Sequence, residues 1–256
     1  MSNFKVDLTG KVVLVTGGSR GLGKAMSIGL AEAGANVIIA SRDLDCCEKL
    51  ASTIGESGGK AVAISVDTAD PPSMDILLEK TYEQFGQLDV LINNAGINIG
   101  FTGLDNVTVE QMDEMYKVNL RGPWYLASRA APRMAQHGGG NIINVISVGG
   151  LKPPPCLGPY AATKSGLHAL TKVMAQEWGS LNIRVNSLAP GSYHSDLFDG
   201  TEAEMPGFEA LATEASTMKR VAATEEILGP VLYLASDASS YTTGACIVAD
   251  GGHLTL

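Results

Sequence analysis

The stretch KVVLVTGGSRGLGKAM, residues 11–26, decides the fold. Its opening run KVVLVT (11–16) is short, β-branched and apolar on both faces, as a strand buried inside a parallel sheet must be. The turn TGGSRGLG (16–23) follows, and then a helical pattern over 22–34. Gly17, Gly21 and Gly23 are spaced G-x-x-x-G-x-G, which differs from the G-x-G-x-x-G dinucleotide fingerprint but keeps its setting of strand, glycine-rich turn and helix start. Glycines allow the backbone to turn tightly and approach a ligand closely. The helix start offers free N–H groups and a partial positive charge. Ser19, Arg20 and Leu22 lie on the same turn, which is therefore expected to hold the pyrophosphate of a dinucleotide.

The same alternation continues outward. Strand-like runs recur at 36–40, 61–66, 89–92, 141–146, 182–187 and 245–249, with helix-length segments such as 43–54 between them. Repeated β and α units imply right-handed crossovers and an α/β, doubly wound parallel sheet of about seven strands with helices on both faces. No repeat or linker divides the chain, so residues 1–256 are expected to form one domain. Residues 191–224 interrupt the rhythm between the sixth and seventh strands. A connection of that length in a compact fold is expected to be a substrate lid containing short helices.

The totals restrict function. A net charge of −9 gives little of the basic surface that nucleic acid requires. The four cysteines, at 46, 47, 156 and 246, form no CxxC and no metal-ligand spacing, so no metal site and a reducing, cytoplasmic setting are expected. No apolar run reaches the length of a membrane span, and the first residues lack the pattern of a signal peptide.

The second strand ends in IIASRD (38–43). An acid at such a strand end receives the ribose 2′-OH of NAD, whereas an arginine accepts a 2′-phosphate. Ser41 takes the strand-end position, Arg42 follows it, and Arg20 can add a second guanidinium. Asp43 reads as the start of the next helix. NADP(H) is accordingly expected in preference to NAD(H).

Tyr160 and Lys164, in YAATK (160–164), share one helix face four residues apart and can enter one cleft. A nearby ammonium favours the phenolate, as does an oxidised nicotinamide, so the tyrosine pKa is expected to fall from about 10 toward working pH. Ser147, 13 residues upstream at the end of the fifth strand, can hydrogen-bond the substrate oxygen as charge develops on it.

Taken with NNAG (93–96), Asn119 in KVNL, PG (190–191) and the ending TGACIVADGG (243–252), these motifs resemble the short-chain dehydrogenase/reductase family over nearly the whole chain. The likeness extends to its 3-oxoacyl carrier-protein reductase-like and gluconate 5-dehydrogenase-like branch. It implies a Rossmann fold with Asn119, Ser147, Tyr160 and Lys164 as the catalytic set. In that set Lys164 also holds the nicotinamide ribose, and Asn119 anchors a water that links Lys164 to solvent. It further implies that Asp67 contacts adenine, that Asn93, Ala95 and Gly96 line the cofactor cleft, and that Pro190 and Gly191 shape its far wall. Relatives carry a threonine after this turn that bonds the nicotinamide carboxamide, and Ser195 fits its spacing. Ile146 departs from the small polar residue that relatives often place before the serine.

The expected activity is an NADPH-dependent carbonyl reductase, or the reverse alcohol dehydrogenase, acting on a small to medium substrate. Leu151, Cys156 and Leu157 in the Pro-rich run 148–159, with His194 in the lid, are the candidate substrate contacts. A 3-oxoacyl reductase with an acidic carrier-protein partner and a sugar-acid dehydrogenase are the alternatives. For the former, Arg129, Arg133 and Lys172 could form a docking patch. A non-catalytic dinucleotide-binding sensor is the reading from another class. The resemblance also implies a homotetramer packed through the last strand and the apolar segment 225–236.

Overall fold

The structure, a computed structural model, describes residues 6–256. The chain runs β1 (Val12–Thr16), α1 (Gly21–Glu32), β2 (Asn36–Ser41), α2 (Leu44–Glu56), β3 (Lys60–Ser65), α3 (Pro71–Phe85) and β4 (Val90–Asn93). It continues through α4 (Val109–Tyr116), α5 (Gly122–Gln136), β5 (Gly140–Val145), α6 (Gly158–Trp178) and β6 (Ile183–Pro190). Then come α7 (Asp196–Glu204), α8 (Phe208–Ala215), α9 (Leu228–Ala235) and β7 (Cys246–Ala249). The seven strands form one parallel sheet in the order β3-β2-β1-β4-β5-β6-β7.

Both faces are covered because successive strand residues feed opposite cores. Val13 and Val15 of β1 pack with Met26 and Leu30 of α1 and with Val231 and Leu234 of α9. Val12 and Leu14, one step out of phase, pack with Met74 and Leu77 of α3, Leu126 of α5 and Met174 of α6. That period of two explains why the strands read as continuous apolar runs.

The strand order reverses between β1 and β4: one half of the chain winds outward to β3 and the other to β7. The crevice at that reversal, beyond the carboxyl ends of the strands, is where such sheets bind ligands. Thr16, Ser41, Asn93, Val145 and Pro190 end their strands on this side.

Four of the nine α-helices among the described residues, α2, α3, α4 and α7, start with a side-chain cap. Asp43 accepts from Cys46 N at 3.0 Å, as expected of a residue that opens a helix. Asp70 caps α3, and Thr108 with Gln111 closes a capping box on α4. Between α4 and α5, residues Lys117–Arg121 widen into a π-turn that holds Asn119.

The excursion between β6 and β7 has a neck and a small core of its own. Tyr193 bridges Ala222, His194 N donates to Ala222 O, and Ala222 N donates to Ser192 O, so its two ends are joined. Phe198, Ala212 and Val221 bury against one another with Phe208 on their flank. Within 225–236, Ile227, Val231 and Leu234 are fully buried against the chain's own sheet, whereas Leu228, Leu232 and Tyr233 are only partly buried. Exposed apolar side chains also appear on β7, at Val248, and along α4 and α5, at Val109, Met112, Tyr116 and Trp124. Among the described residues no helix is long and apolar enough to cross a membrane.

Candidate active site

The first turn of α1 follows the glycine-rich turn after β1, and its N-cap, Arg20, supplies no side-chain hydrogen bond. The starts of α5, α6, α8 and α9 are likewise uncapped, whereas α2, α3, α4 and α7 are each capped by a carboxylate or hydroxyl. A Cβ on Gly23 would overlap the carbonyl oxygen of Gly17, so the turn closes only with glycine there. The uncapped helix start and the bare glycine backbone fit a pyrophosphate, which would accept the free N–H groups.

Asn94 pins this turn. Its Nδ2 donates to Thr16 O at 3.0 Å and to Gly17 O at 3.1 Å, while Thr16 Oγ1 accepts from the amides of Asn94 and Ala95. Ala95 therefore stands against Gly17 as expected, but Asn93 does not line the cleft. It is buried, with Nδ2 donating to Asn144 Oδ1 at 2.9 Å and to Pro123 O at 3.3 Å. The strand pleat decides between the neighbours: in NNAG the first asparagine ends β4 inside the core and the second turns toward the glycine loop. Thr16 and Asn94 are the functional positions that sequence reasoning missed.

On the ribose side, Ser19 Oγ and Ser41 Oγ lie 3.0 Å apart. Arg42 is exposed and makes no ion pair among the described residues. Arg20 Nε stands 4.0 Å from Asp196 Oδ2, at the start of α7. Leu22 packs on the core that α1 covers. Asp67 lies just beyond β3, with Oδ1 accepting from Ala69 N at 2.8 Å. Gly191 presses on Asp250, against which a Cβ would stand 2.7 Å from Cα, so the Pro190–Gly191 turn is locked to the end of β7. Ser195 caps α7 through a 3.3 Å bond from Phe198 N, and its Cβ would stand 3.4 Å from a Cβ on Gly21. The excursion thus rests on the glycine-rich turn.

Ser147, Tyr160 and Lys164 come together. The pair Gly149–Gly150 lets α6 approach the end of β5: a Cβ on Gly150 would stand 2.8 Å from that of Lys164, and Ser165 Oγ donates to Gly150 O at 2.5 Å. Gly149 lies between the Ser147 hydroxyl and the Tyr160 ring, 3.5 Å and 3.7 Å from the position of its missing Cβ. Lys164 is buried, and Nζ donates to Val145 O at 2.9 Å. Asn119, fully buried in the π-turn, is fixed by Ile97: Oδ1 accepts from Ile97 N and Nδ2 donates to Ile97 O, both at 2.8 Å. Gly96 touches this group, since its missing Cβ would lie 3.3 Å from both Asn119 Oδ1 and Lys164 Nζ.

The electrostatics depart from the expected depression of the tyrosine. Burial pushes the Tyr160 phenol above its ordinary pKa, and a hydrogen bond with Ser147 only partly offsets it. Lys164 Nζ lies 5.7 Å from the Tyr160 ring centroid, and burial brings its own pKa down to about 8. Desolvation therefore dominates over the lysine charge in the protein alone.

The candidate substrate contacts separate. Leu151, partly buried, packs on Ile146, Leu167 and Ala189 and braces the Pro-rich wall from within. Cys156 is exposed, holds a left-handed φ of 65°, and accepts from Thr102 N at 2.9 Å. Leu157 is half-buried at the start of α6. His194 is exposed, with its ring edge-on to Phe198 at 5.6 Å. Of the suggested basic patch, Arg133 Nη1 pairs with Glu79 at 2.7 Å and Arg129 Nε lies 3.9 Å from Asp75, whereas Lys172 is exposed and makes no ion pair among the described residues.

Known proteins resemble the chain in both sequence and fold. A family model described as short chain dehydrogenase matches residues 11–206. The chain is 36% identical to L-rhamnose 1-dehydrogenase (NAD(P)(+)) of Sphingomonas sp. (strain SKA58), covering 96% of each. It is 34% identical to versicolorin reductase 1 of Dothistroma septosporum (strain NZE10 / CBS 128990), covering 98% of each. Among solved structures, it matches a gluconate 5-dehydrogenase from Burkholderia cenocepacia J2315, in complex with NADP and tartrate, at 31% identity and a TM-score of 0.93, covering 98% of each chain.

Proposed function

The chain belongs to the short-chain dehydrogenase family of oxidoreductases, and from that premise we propose that it is an NADPH-dependent carbonyl reductase, equally an alcohol dehydrogenase in reverse. The observation that carries this reading is the meeting of Ser147, Tyr160 and Lys164 beside an uncapped, glycine-lined helix start.

In this reading Gly17, Gly21, Gly23 and the α1 amides hold the pyrophosphate, Asp67 the adenine, and Lys164 the nicotinamide ribose. A bound reduced nicotinamide supplies a hydride, two electrons and a proton, to the carbonyl carbon. Tyr160 gives its phenolic proton to the carbonyl oxygen, so the carbonyl gains one hydride and one proton and leaves as an alcohol. Ser147 donates to that oxygen as it becomes negative. Lys164, with a pKa near 8, stabilises the phenolate left behind. Asn119 fixes Ile97 and, through it, the backbone following NNAG.

Arg42 and Arg20 are the groups we assign to the 2′-phosphate of NADP(H). Arg42 stands free beside Ser41, where an acid would select NAD. Residues 191–224 act as the lid of a single catalytic domain, and the four free cysteines suit a cytoplasmic setting. The exposed apolar residues of β7, α4 and α5 support a homotetramer, which light scattering at micromolar concentration would test.

The test of the activity is a single-turnover measurement of NADPH oxidation over a panel of carbonyl compounds. Wild type should react and Tyr160→Phe should not. Equal, slow rates for both on every compound would instead favour a dinucleotide-binding sensor.

A further inference from the structure

The reductase reading leaves its substrate unspecified, and the walls of the cleft restrict it. We infer that the substrate is an uncharged carbonyl compound with a flat, apolar body, held beneath a row of aromatic rings, and that anionic substrates are repelled. The inference rests on the reading of Tyr160 as proton donor.

The charge distribution excludes anions. Residues 196–215 carry Asp196, Asp199, Glu202, Glu204, Glu209 and Glu214 and no lysine or arginine; Arg20 pairs with Asp196 and Lys219 with Glu214, while Asp199, Glu202, Glu204 and Glu209 have no ion pair among the described residues. Glu204 reaches across to the loop after β4, with Oε2 3.4 Å from the position of a Cβ on Gly100. That loop, residues 97–106, has no basic residue either. The Pro-rich wall has one, Lys152, and its ammonium donates to Leu256 O. A substrate carboxylate or phosphate would meet this acidic rim with Lys152 as the one lysine or arginine in residues 97–106, 148–159 and 196–215, and Coulomb repulsion slows encounter by roughly 10- to 1000-fold when such a field opposes a ligand.

The aromatic row supplies the complementary attraction. Phe101 lies 5.6 Å from Phe208, Phe208 lies 5.2 Å from Phe198, and Phe198 meets His194 at 5.6 Å. These separations are those of favourable ring pairs. The row starts close to the reacting centre. Thr102, next to Phe101, is tied to Cys156, and Leu104 packs on Gly158, in the first turn of the helix that carries Tyr160. Phe198 is buried, whereas Phe101 and Phe208 are half-buried and each keeps ring surface available. A planar apolar body between them removes that surface from water.

Steady-state kinetics with NADPH on four ketones tests this: ethyl 3-oxobutanoate, 3-oxobutanoate, 5-keto-D-gluconate and 2-tetralone. The ester should exceed its acid in kcat/KM by about 100-fold at low salt, and the gap should narrow as salt screens the lid. The KM for 2-tetralone should be the lowest, and Phe208→Leu should raise it about tenfold more than the KM for the ester. Glu204→Gln, at an exposed position, should improve 3-oxobutanoate relative to the ester by about threefold. The inference is overturned if 3-oxobutanoate or 5-keto-D-gluconate is used as well as the neutral compounds, or if Phe208→Leu affects 2-tetralone and the ester alike. Should Tyr160→Phe match wild type on all four, the reductase reading itself fails, whatever the ranking of the ketones.

Discussion

Lys164 Nζ donates to the carbonyl oxygen of Val145 at 2.9 Å, tying the lysine of the helix to the strand end that leads into Ser147. The bond orients an ammonium that is almost wholly withdrawn from water. Burial depresses its pKa from 10.5 to about 8, so holding the charge in the folded protein costs stability.

The sign of the pH dependence follows. Between pH 8 and 10.5 the unfolded chain binds more protons at this site than the native protein, so the contribution of Lys164 to stability rises with pH across that window. Below pH 8 the full penalty applies, on the order of 3 kcal/mol. Lys164→Met should therefore be inactive yet melt a few degrees higher than wild type at pH 7. Thermal unfolding at pH 7 and pH 10.5 checks this, and the advantage should disappear at the higher pH.

A phenol whose pKa is raised remains protonated, so reduction should persist well into alkaline solution, whereas alcohol oxidation should need high pH. Ser147→Ala removes the hydrogen bond that offsets this rise. Its pH–rate profile for oxidation should move further alkaline, with kcat down by about 100- to 1000-fold. A Ser147→Ala profile unmoved on the pH axis would separate the serine from the phenol.

The proposed preference for NADP(H) is assigned to Arg42, which makes no ion pair among the described residues. Arg42→Asp should weaken NADPH by roughly 10- to 100-fold, the value of charge-assisted hydrogen bonds, and leave NADH nearly unchanged or improved. Fluorescence titration of both nucleotides measures the difference. Equal losses would remove Arg42 from the phosphate site.

Gly23→Ala would drive a methyl group into the carbonyl oxygen of Gly17 and against Asn94 Nδ2 at 2.7 Å. The turn must then shift, and affinity for either nucleotide should fall at least tenfold, because both share the pyrophosphate. Isothermal titration would show the loss, and circular dichroism would establish that the sheet still forms.

The sheet was legible because its central strands are short, β-branched and apolar on both sides, a pattern that burial in a parallel sheet imposes, while the edge strands β3 and β7 keep the apolar run with little burial. The expected runs 36–40 and 245–249 fall on β2 and β7 within a residue at either end. The grouping of Ser147, Tyr160 and Lys164 was legible through helical spacing and strand-end position. The second layer was not. Spacing alone cannot tell which of Asn93 and Asn94 faces the loop, since that depends on where the strand stops. Nor does it show that Gly149 and Gly150 admit α6, or that Leu151 turns into the core. Nor could spacing show that Arg129 and Arg133 stand beside Asp75 and Glu79, which lie on another helix, more than 50 positions away along the chain.

Ser195 and Asp196 lie over Gly21 and Arg20, and this placement has a kinetic meaning. With the excursion resting on the phosphate turn, the nucleotide is expected to enter first and depart last, giving an ordered sequence of arrivals. Product-inhibition patterns should show NADP⁺ competing with NADPH, while the alcohol product inhibits non-competitively against the ketone. Turnover would then be paced by release of the spent nucleotide, and loosening the neck at Tyr193–Ala222 should raise kcat even though no reacting group is touched.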